Sequence, residues 1–165
     1  MEEPQDAKLQ PLMGNFRQPG TVVWIGLRPQ REAPLQVVEE AEVITGKGLA
    51  GDRVTQLQQS KRHVTLIMSE HLAATANILG LDTVDPGLTR RNIVTKGINL
   101  MALKNKRFKL GTAVLELTAP CHPCTRMETN LGEGGFNAMR GHGGWCAIVH
   151  EGGFVKMGDQ IQAID

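Results

Sequence analysis

Two cysteines, Cys121 and Cys124, lie three positions apart in the segment Thr118-Ala-Pro-Cys-His-Pro-Cys124, directly after a strand-like run. The two prolines fix φ and disfavour helix in the residue before each of them, so both thiols are held on a stiff turn. The stretch that continues to Gly144 adds His142 and holds six of the chain's 19 glycines. Thiolates bind soft metals and attack electrophiles, so the segment predicts a metal or redox site.

Three chemistries are compatible with these thiols. The first is a structural zinc site, because Cys121 and Cys124 are followed by His142 and Cys146 at a spacing close to that of Cys/His zinc sites. Two features weigh against it: the chain is long enough to build its own core, and His142 lies between glycines, which make a poor rigid mount for a ligand.

The second chemistry is thiol–disulfide exchange, because Cys121-x-x-Cys124 precedes a helix-compatible run that begins at Thr125. Redox motifs of this kind open a βαβ unit, whereas short strands precede Cys121 here. The third is a single cysteine that binds a metal cofactor carrying its own remaining ligands. The spacing alone does not choose among the three.

The composition indicates one compact domain whose cysteines are reduced thiols with a chemical role. The chain has 165 residues, 41% of them hydrophobic, a net charge of +1 and three cysteines. We expect a flexible segment over residues 1–19 and a single domain over 20–165. The charge predicts no nucleic-acid partner, and neither a membrane-spanning run of about 18 apolar residues nor a signal peptide is present, so we expect a cytoplasmic protein.

The elements that must position the thiols are mostly short strands. Leu72, Ala76 and Leu79 recur at helical spacing, which predicts a helix over 69–80 with Ser69 as its N-cap and Gly80 at its end. A shorter helix is compatible with 83–88. β-branched and apolar runs predict strands over 21–25, 35–44, 62–68, 91–95, 106–110, 113–118, 146–149 and 160–164. The pattern is typical of a mixed α+β, mainly β, barrel-like domain.

Seven motifs in a fixed order resemble the MOSC domain, the family named for the C-terminal domain of molybdenum-cofactor sulfurase. They are Gly48-Leu-Ala-Gly-Asp-Arg53, His63-Val-Thr-Leu-Ile67, Leu88-Thr-Arg-Arg-Asn-Ile-Val94, Gly97-Ile-Asn-Leu100, Phe108-Lys-Leu-Gly111, Pro120-Cys-His-Pro-Cys124 and Gly135-Phe-Asn-Ala-Met-Arg-Gly-His-Gly-Gly144. The resemblance runs from about residue 22 to residue 158. It implies a MOSC-type β-barrel with a few peripheral helices, and it favours the third chemistry.

The resemblance also implies site residues. Cys124 would bind the molybdenum of a pterin cofactor, with Cys121 as its neighbour. Arg90 and Asn92 would contact the cofactor and line the substrate mouth, as their guanidinium and amide groups permit. Ser69 would offer its hydroxyl to the phosphate, and Gly48, Gly51 and Asp52 would shape a loop near the same pocket. His142 is expected to donate a proton because of its own chemistry, since it is a histidine in a glycine-rich loop.

The implied activity is reduction of N-hydroxylated compounds, in which the N–O bond is cleaved and water leaves. No flavin, haem or iron–sulfur signature is present, so electrons are expected from a separate donor protein. The alternative is a carrier that delivers the cofactor, or sulfur as a Cys124 persulfide. Val54 stands where the family has a histidine, so no role of that histidine is assumed here. Strand alternation predicts that Arg91 points away from Arg90 and Asn92. The sequence does not indicate an oligomeric state.

Overall fold

A closed barrel of seven strands forms the centre of the molecule. The computed structural model describes residues 7–57 and 60–164. The strands are β1 (Gly20–Leu27), β2 (Gln36–Val37), β3 (Glu40–Ile44), β4 (Gly48–Leu49), β5 (Val64–Met68), β6 (Ile93–Lys96), β7 (Arg107–Leu110), β8 (Ala113–Pro120), β9 (Trp145–Glu151), β10 (Gly153–Lys156) and β11 (Gln160–Ala163). The barrel order is β1-β6-β5-β9-β8-β7-β11, closed by the pairing of β11 with β1.

Four short helices pack outside the barrel. They are α1 (Ser69–Leu79), α2 (Pro86–Thr89), α3 (Thr125–Leu131) and α4 (Gly135–Met139), with 3-10 turns at Gln10–Gly14, Arg53–Gln56 and Leu100–Leu103. β5 and β6 are parallel, so the chain between them must cross over, and α1 and α2 lie in that crossover. The fold is therefore mixed α+β and mainly β, as the sequence predicts.

Residue alternation along the strands separates two apolar clusters. Leu66 and Met68 of β5 belong to the barrel core, whereas Ile67 between them belongs to a second cluster beneath the helices. Successive side chains of a strand point to opposite faces, so β5 is covered on both sides and all of its residues are buried. The second cluster includes Met127 of α3 and Met139 of α4, which fixes these helices against the barrel wall.

Helix α1 begins and ends close to the predicted residues. Gly80 adopts φ 70°, a left-handed conformation that favours glycine, and it terminates the helix as predicted. The predicted N-cap is wrong. Met68 occupies the cap position, and Ser69 is the first helical residue, with its Oγ 3.3 Å from Glu70 Oε1.

The prediction of one continuous strand over 35–44 is wrong. It divides into β2, which pairs with β1 at the barrel edge, and β3, which pairs with β10 and β4 in a separate three-stranded sheet. The backbone N–H of Val38 donates to the carbonyl of Ile25, and the chain then leaves the barrel. A continuous run of strand formers does not reveal such a change of sheet.

The N-terminal segment carries a 3-10 turn whose residues are exposed, and Phe16 beyond it packs against the barrel core. The predicted flexibility of residues 1–19 stays a prediction, and residues 1–6 lie outside the described part. Within the described ranges, the helices are all too short or too polar to cross a bilayer.

Candidate functional site

A cleft of about 340 Å³ brings together the thiol turn and an unusual number of cations. Arginines from separate parts of the chain line it: Arg28, Arg62, Arg90, Arg91 and Arg126. Asp52 is the one carboxylate among the described residues that line it. Positive charge that is not balanced locally attracts anions, so the cleft is built to hold a negatively charged group.

Two of these arginines have unmet hydrogen-bonding capacity. The Nε atoms of Arg28 and Arg90 are buried and have no hydrogen-bond partner. Burial lowers the pKa of both guanidinium groups; Asp52 opposes this at Arg28, whereas the positive charges of Arg28 and Arg126 lower the pKa of Arg90 further. An anionic ligand would satisfy both donors and relieve the mutual repulsion.

Residues 90–92 all face the cleft, which corrects the predicted orientation of Arg91. They precede β6 rather than belonging to it, and Arg90 has φ 61°, a left-handed conformation that is uncommon for a residue other than glycine. Strand alternation therefore does not apply. Arg91 is buried and donates to the carbonyls of Gly143, Thr89 and Cys121 at 2.7, 2.8 and 3.2 Å.

Asn92 holds one wall of the cleft together. Its Nδ2 donates to the carbonyl of Gly26 at 3.0 Å and to Asp52 Oδ1 at 3.3 Å. Its Oδ1 accepts from the backbone N–H and the hydroxyl of Thr65 at 3.2 and 3.1 Å. Both donors and both lone pairs of the amide are thus used within the protein. The predicted contact of Asn92 with a cofactor stays a prediction, and its hydrogen bonds give it a positioning role.

The two cysteines of the turn have opposite environments. Cys121 is buried and Cys124 is exposed, and both line the cleft. Cys124 immediately precedes α3, whose second residue is Arg126. On the other side, a Cβ at Gly143 would overlap the Cys121 carbonyl, so glycine is required for this close approach.

Cys121 has Cys146 as its sulfur neighbour. Arg62 Nε donates to Cys146 Sγ and Arg62 Nη2 donates to Cys121 Sγ, both at 3.2 Å. Hydrogen bonds from the Cys121 thiol and Arg62 lower the pKa of Cys146, and the hydrogen bond to Cys146, with burial, raises the pKa of Cys121. A proton of the pair is therefore favoured on Cys121, and a negative charge is favoured on Cys146.

The zinc arrangement is not formed. Among residues 7–57 and 60–164, no three His, Cys, Asp or Glu side chains are grouped so that they could hold one metal ion. His142 instead contacts His71 of α1, with ring centroids 5.0 Å apart, and its Nδ1 is buried without a hydrogen-bond partner.

The other predicted site residues fall into two groups. Asp52 and Arg90 line the cleft with the thiols, whereas His142 and Ser69 are not among its lining residues. Gly48 and Gly51 support the loop that carries Asp52; both have positive φ, and a Cβ at Gly48 would overlap the His63 carbonyl. Val54 lines the cleft, so an aliphatic side chain faces it where the family has a histidine.

Sequence reasoning assigned no site role to several lining residues, among them Arg28, Arg62, His122 and Arg126. Arg62 begins the predicted strand over 62–68, His122 lies within the thiol turn, and Arg126 follows that turn. A charged residue directly after the apolar strand β1 was the available signal for Arg28. Nothing in the local pattern separates Arg62 and Arg126 from ordinary surface cations.

Comparison with known proteins adds a family and a fold. A family model of the MOSC domain matches residues 34–162. The YuaD protein of Bacillus subtilis is similar in structure, with a TM-score of 0.73 and 17% identity over 87% of this chain and 94% of that one. YiiM of Geobacillus stearothermophilus gives a TM-score of 0.72 and 16% identity over 89% and 76% of the two chains.

YiiM of Escherichia coli is also similar, with a TM-score of 0.65 and 19% identity over 88% of this chain and 70% of that one. No curated protein matches the chain. At these identities the likeness to solved structures concerns the fold alone.

Proposed function

Because this chain belongs to the MOSC domain family, which is associated with molybdenum-cofactor binding, we propose that the cleft binds a molybdenum–pterin cofactor and that the loaded protein reduces N-hydroxylated compounds. One observation carries the proposal. An exposed thiol, Cys124, opens onto a cleft lined by five arginines. A thiolate suits a soft metal, and the arginines suit a phosphate, so the donor set matches the two ends of such a cofactor.

We assign different roles to the two thiols of the turn. Cys121 already accepts a hydrogen bond from Arg62 and is buried, so it is poorly placed to bind a metal from the cleft. Cys124 is exposed on the cleft. We therefore assign the metal ligand to Cys124 and a wall position to Cys121.

The arginines with unmet donors are suited to the cofactor's anionic part. Arg28 and Arg90 each present a buried Nε without a partner, and a phosphate oxygen can accept from such donors with shortened, charge-assisted hydrogen bonds. Asp52 and Asn92 hold the backbone on which these side chains stand, since Asp52 accepts the Arg28 backbone N–H at 2.7 Å. When bound, the cofactor would supply the two electrons that cleave the N–O bond.

A separate protein would deliver the electrons, and the protein groups would orient the substrate and move the proton. His142 is the residue that the sequence analysis predicts as proton donor. Its ring lies against His71 and not along the cleft. An unchanged kcat in a His142→Gln variant would remove that role.

The test is metal and pterin analysis of protein produced with abundant molybdenum cofactor, alongside turnover of a hydroxylated base with an artificial electron donor. We expect stoichiometric molybdenum in the wild type, loss of nearly all of it in Cys124→Ser, and retention in Cys121→Ser as the matched control. Metal that survives in Cys124→Ser would contradict the ligand assignment.

A carrier function is the second candidate, because a single exposed thiol beside a cationic cleft also suits a Cys124 persulfide or a cofactor in transit. Bound cofactor or labile sulfur without turnover, and its transfer to an acceptor, is the outcome that favours the carrier. Turnover that depends on Cys124 favours the reductase.

A further inference from the structure

Cys121 and Cys146 form a second pair of sulfurs that the proposed function does not use. Cys146 of β9 pairs with Ala119 of β8. Just beyond the paired ends of these strands, the backbone N–H of Cys121 donates to the carbonyl of Gly144 at 2.8 Å. The residues are 2% and 5% exposed. Arg62 donates to both sulfurs from Nε and Nη2, which belong to one planar group, so the sulfurs lie side by side.

The surroundings favour a thiolate on one of the two sulfurs. Cys146 accepts from Arg62 and from the Cys121 thiol, and these hydrogen bonds lower its pKa despite its burial. The guanidinium of Arg91 is the other charge acting on the pair, and it also favours the anion. The thiolate is the form of cysteine that reacts with oxidants.

We propose that Cys121 and Cys146 are a reversible redox pair, which a small peroxide converts into an intramolecular disulfide. Cys121 and Arg62 line the cleft and Cys146 does not, so a peroxide that enters the cleft would reach the Cys146 sulfur past Cys121 and Arg62. The Cys-x-x-Cys motif by itself pairs Cys121 with Cys124, but Cys124 has no contact with Arg62 among the described hydrogen bonds and is exposed.

The reaction has two steps. The Cys146 thiolate attacks one peroxide oxygen, the O–O bond breaks, and the other oxygen takes a proton from the solvent and leaves as water, which turns Cys146 into a sulfenic acid. The Cys121 sulfur then attacks the Cys146 sulfur, and the S–O bond breaks. The hydroxyl group leaves as a second water with the Cys121 proton. The two thiols lose two electrons and the peroxide gains them.

Oxidation would change the cleft through Arg62. The disulfide carries no charge, so Arg62 would lose its anionic partner and its full positive charge would become available to a ligand. The pair would thus couple the redox state of the surroundings to the charge of the cleft.

The experiment treats the folded protein with hydrogen peroxide at neutral pH, blocks remaining thiols and maps the cross-linked peptides by mass spectrometry. We expect a Cys121–Cys146 disulfide that a dithiol reductant reverses, and the same disulfide in Cys124→Ser. A cross-link between Cys121 and Cys124, or oxidation confined to Cys124, would overturn the proposal.

Variants that lack one of the two cysteines show the order of the steps. In Cys121→Ser, dimedone should trap a sulfenic acid on Cys146, whereas Cys146→Ser should give little trapping on Cys121. The reverse pattern would exclude Cys146 as the attacking thiolate. Circular dichroism verifies that each variant is folded.

Arg62 provides a test that keeps both thiols. Arg62→Gln should slow disulfide formation at least about fivefold, because it removes a hydrogen bond that favours the thiolate. Arg126→Gln is the matched control, since it removes a cleft arginine that has no hydrogen bond to either sulfur. Equal rates in the two variants would contradict the role of Arg62. None of these readouts depends on bound molybdenum, so they are independent of the proposed function.

Discussion

The residues that line the cleft form two groups that are built differently. One group, which we call the fixed wall, consists of Thr65, Arg91, Asn92 and Cys121, which are buried and hydrogen-bonded within the protein. The other group, the open rim, consists of Arg28, Arg90, Cys124 and Arg126; the Nε atoms of Arg28 and Arg90 are buried without a partner, and the Cys124 thiol is exposed.

The difference indicates a division of labour. Groups that have already formed their hydrogen bonds hold a shape, whereas groups with unmet donors gain most from a ligand. Substitutions in the fixed wall should therefore reduce stability, and substitutions in the open rim should mainly reduce binding.

The largest expected effect concerns neighbouring arginines. Arg91→Met should lower the free energy of unfolding by about 4 kcal/mol, because three buried carbonyls lose a charged donor. Arg90→Gly should change it by less than about 1 kcal/mol, since glycine adopts the left-handed conformation of residue 90 without strain. Urea denaturation measures both values. Equal losses would end the distinction between wall and rim.

Titration with inorganic phosphate sharpens the same comparison. Arg90→Gly should weaken phosphate binding to the folded protein by about tenfold, because a charge-assisted hydrogen bond is lost. Unchanged affinity would place the anion site elsewhere.

The next effect concerns Gly143, whose missing side chain allows the Cys121 carbonyl to come close to it. Gly143→Ala should cost about 2–3 kcal/mol, because the new Cβ would overlap the Cys121 carbonyl and the backbone would have to move. Gly14→Ala is the control, since nothing lies within 4 Å of a Cβ at that position. Thermal unfolding measures the stability of the two variants. If the Gly143→Ala protein were as stable as the control, the backbone around Cys121 would have to move at little cost in free energy.

The smallest effect is a dependence of stability on pH that arises at His63. His63 is buried, and its Nδ1 accepts the backbone N–H of Val149 at 2.9 Å. Burial lowers the pKa of His63, and the nearby His150 lowers it further, whereas a backbone hydrogen bond at Ser60 opposes this. The unfolded chain therefore binds this proton more readily, and stability falls as pH drops below about 6.5.

The loss should be about 1 kcal/mol, the usual contribution of one hydrogen bond. His63→Asn places an amide oxygen near the position of Nδ1, so it keeps an acceptor for Val149 but does not titrate, and its stability should depend less on pH over the same range. Denaturation at several pH values measures the change. An unaltered pH profile in His63→Asn would assign the dependence to another group.

The sequence predicts most of the strands and helix α1 because their periodicity is local. It also places Cys121, Cys124, Arg90 and Asp52, which line one cleft. It fails for Arg91, because the left-handed residue 90 removes the alternation on which the prediction depended. It also fails to anticipate Arg62, whose partners are 59 and 84 positions away.

The pairing of sulfurs shows where local information ends. Spacing suggests Cys121 with Cys124, whereas the register of β8 with β9 brings Cys146 to Cys121. Register is a property of two strands that the chain brings together from a distance, so no motif contains it.

Order and type of the short motifs determined the family, the barrel and the stiff thiol turn, because prolines, glycines and strand formers act on the backbone within a few residues. Closure of the barrel decided the rest. It gathered five arginines around one thiol and buried the other thiol against Cys146. Contacts between distant residues depend on strand pairing and packing, which exist only in the folded molecule.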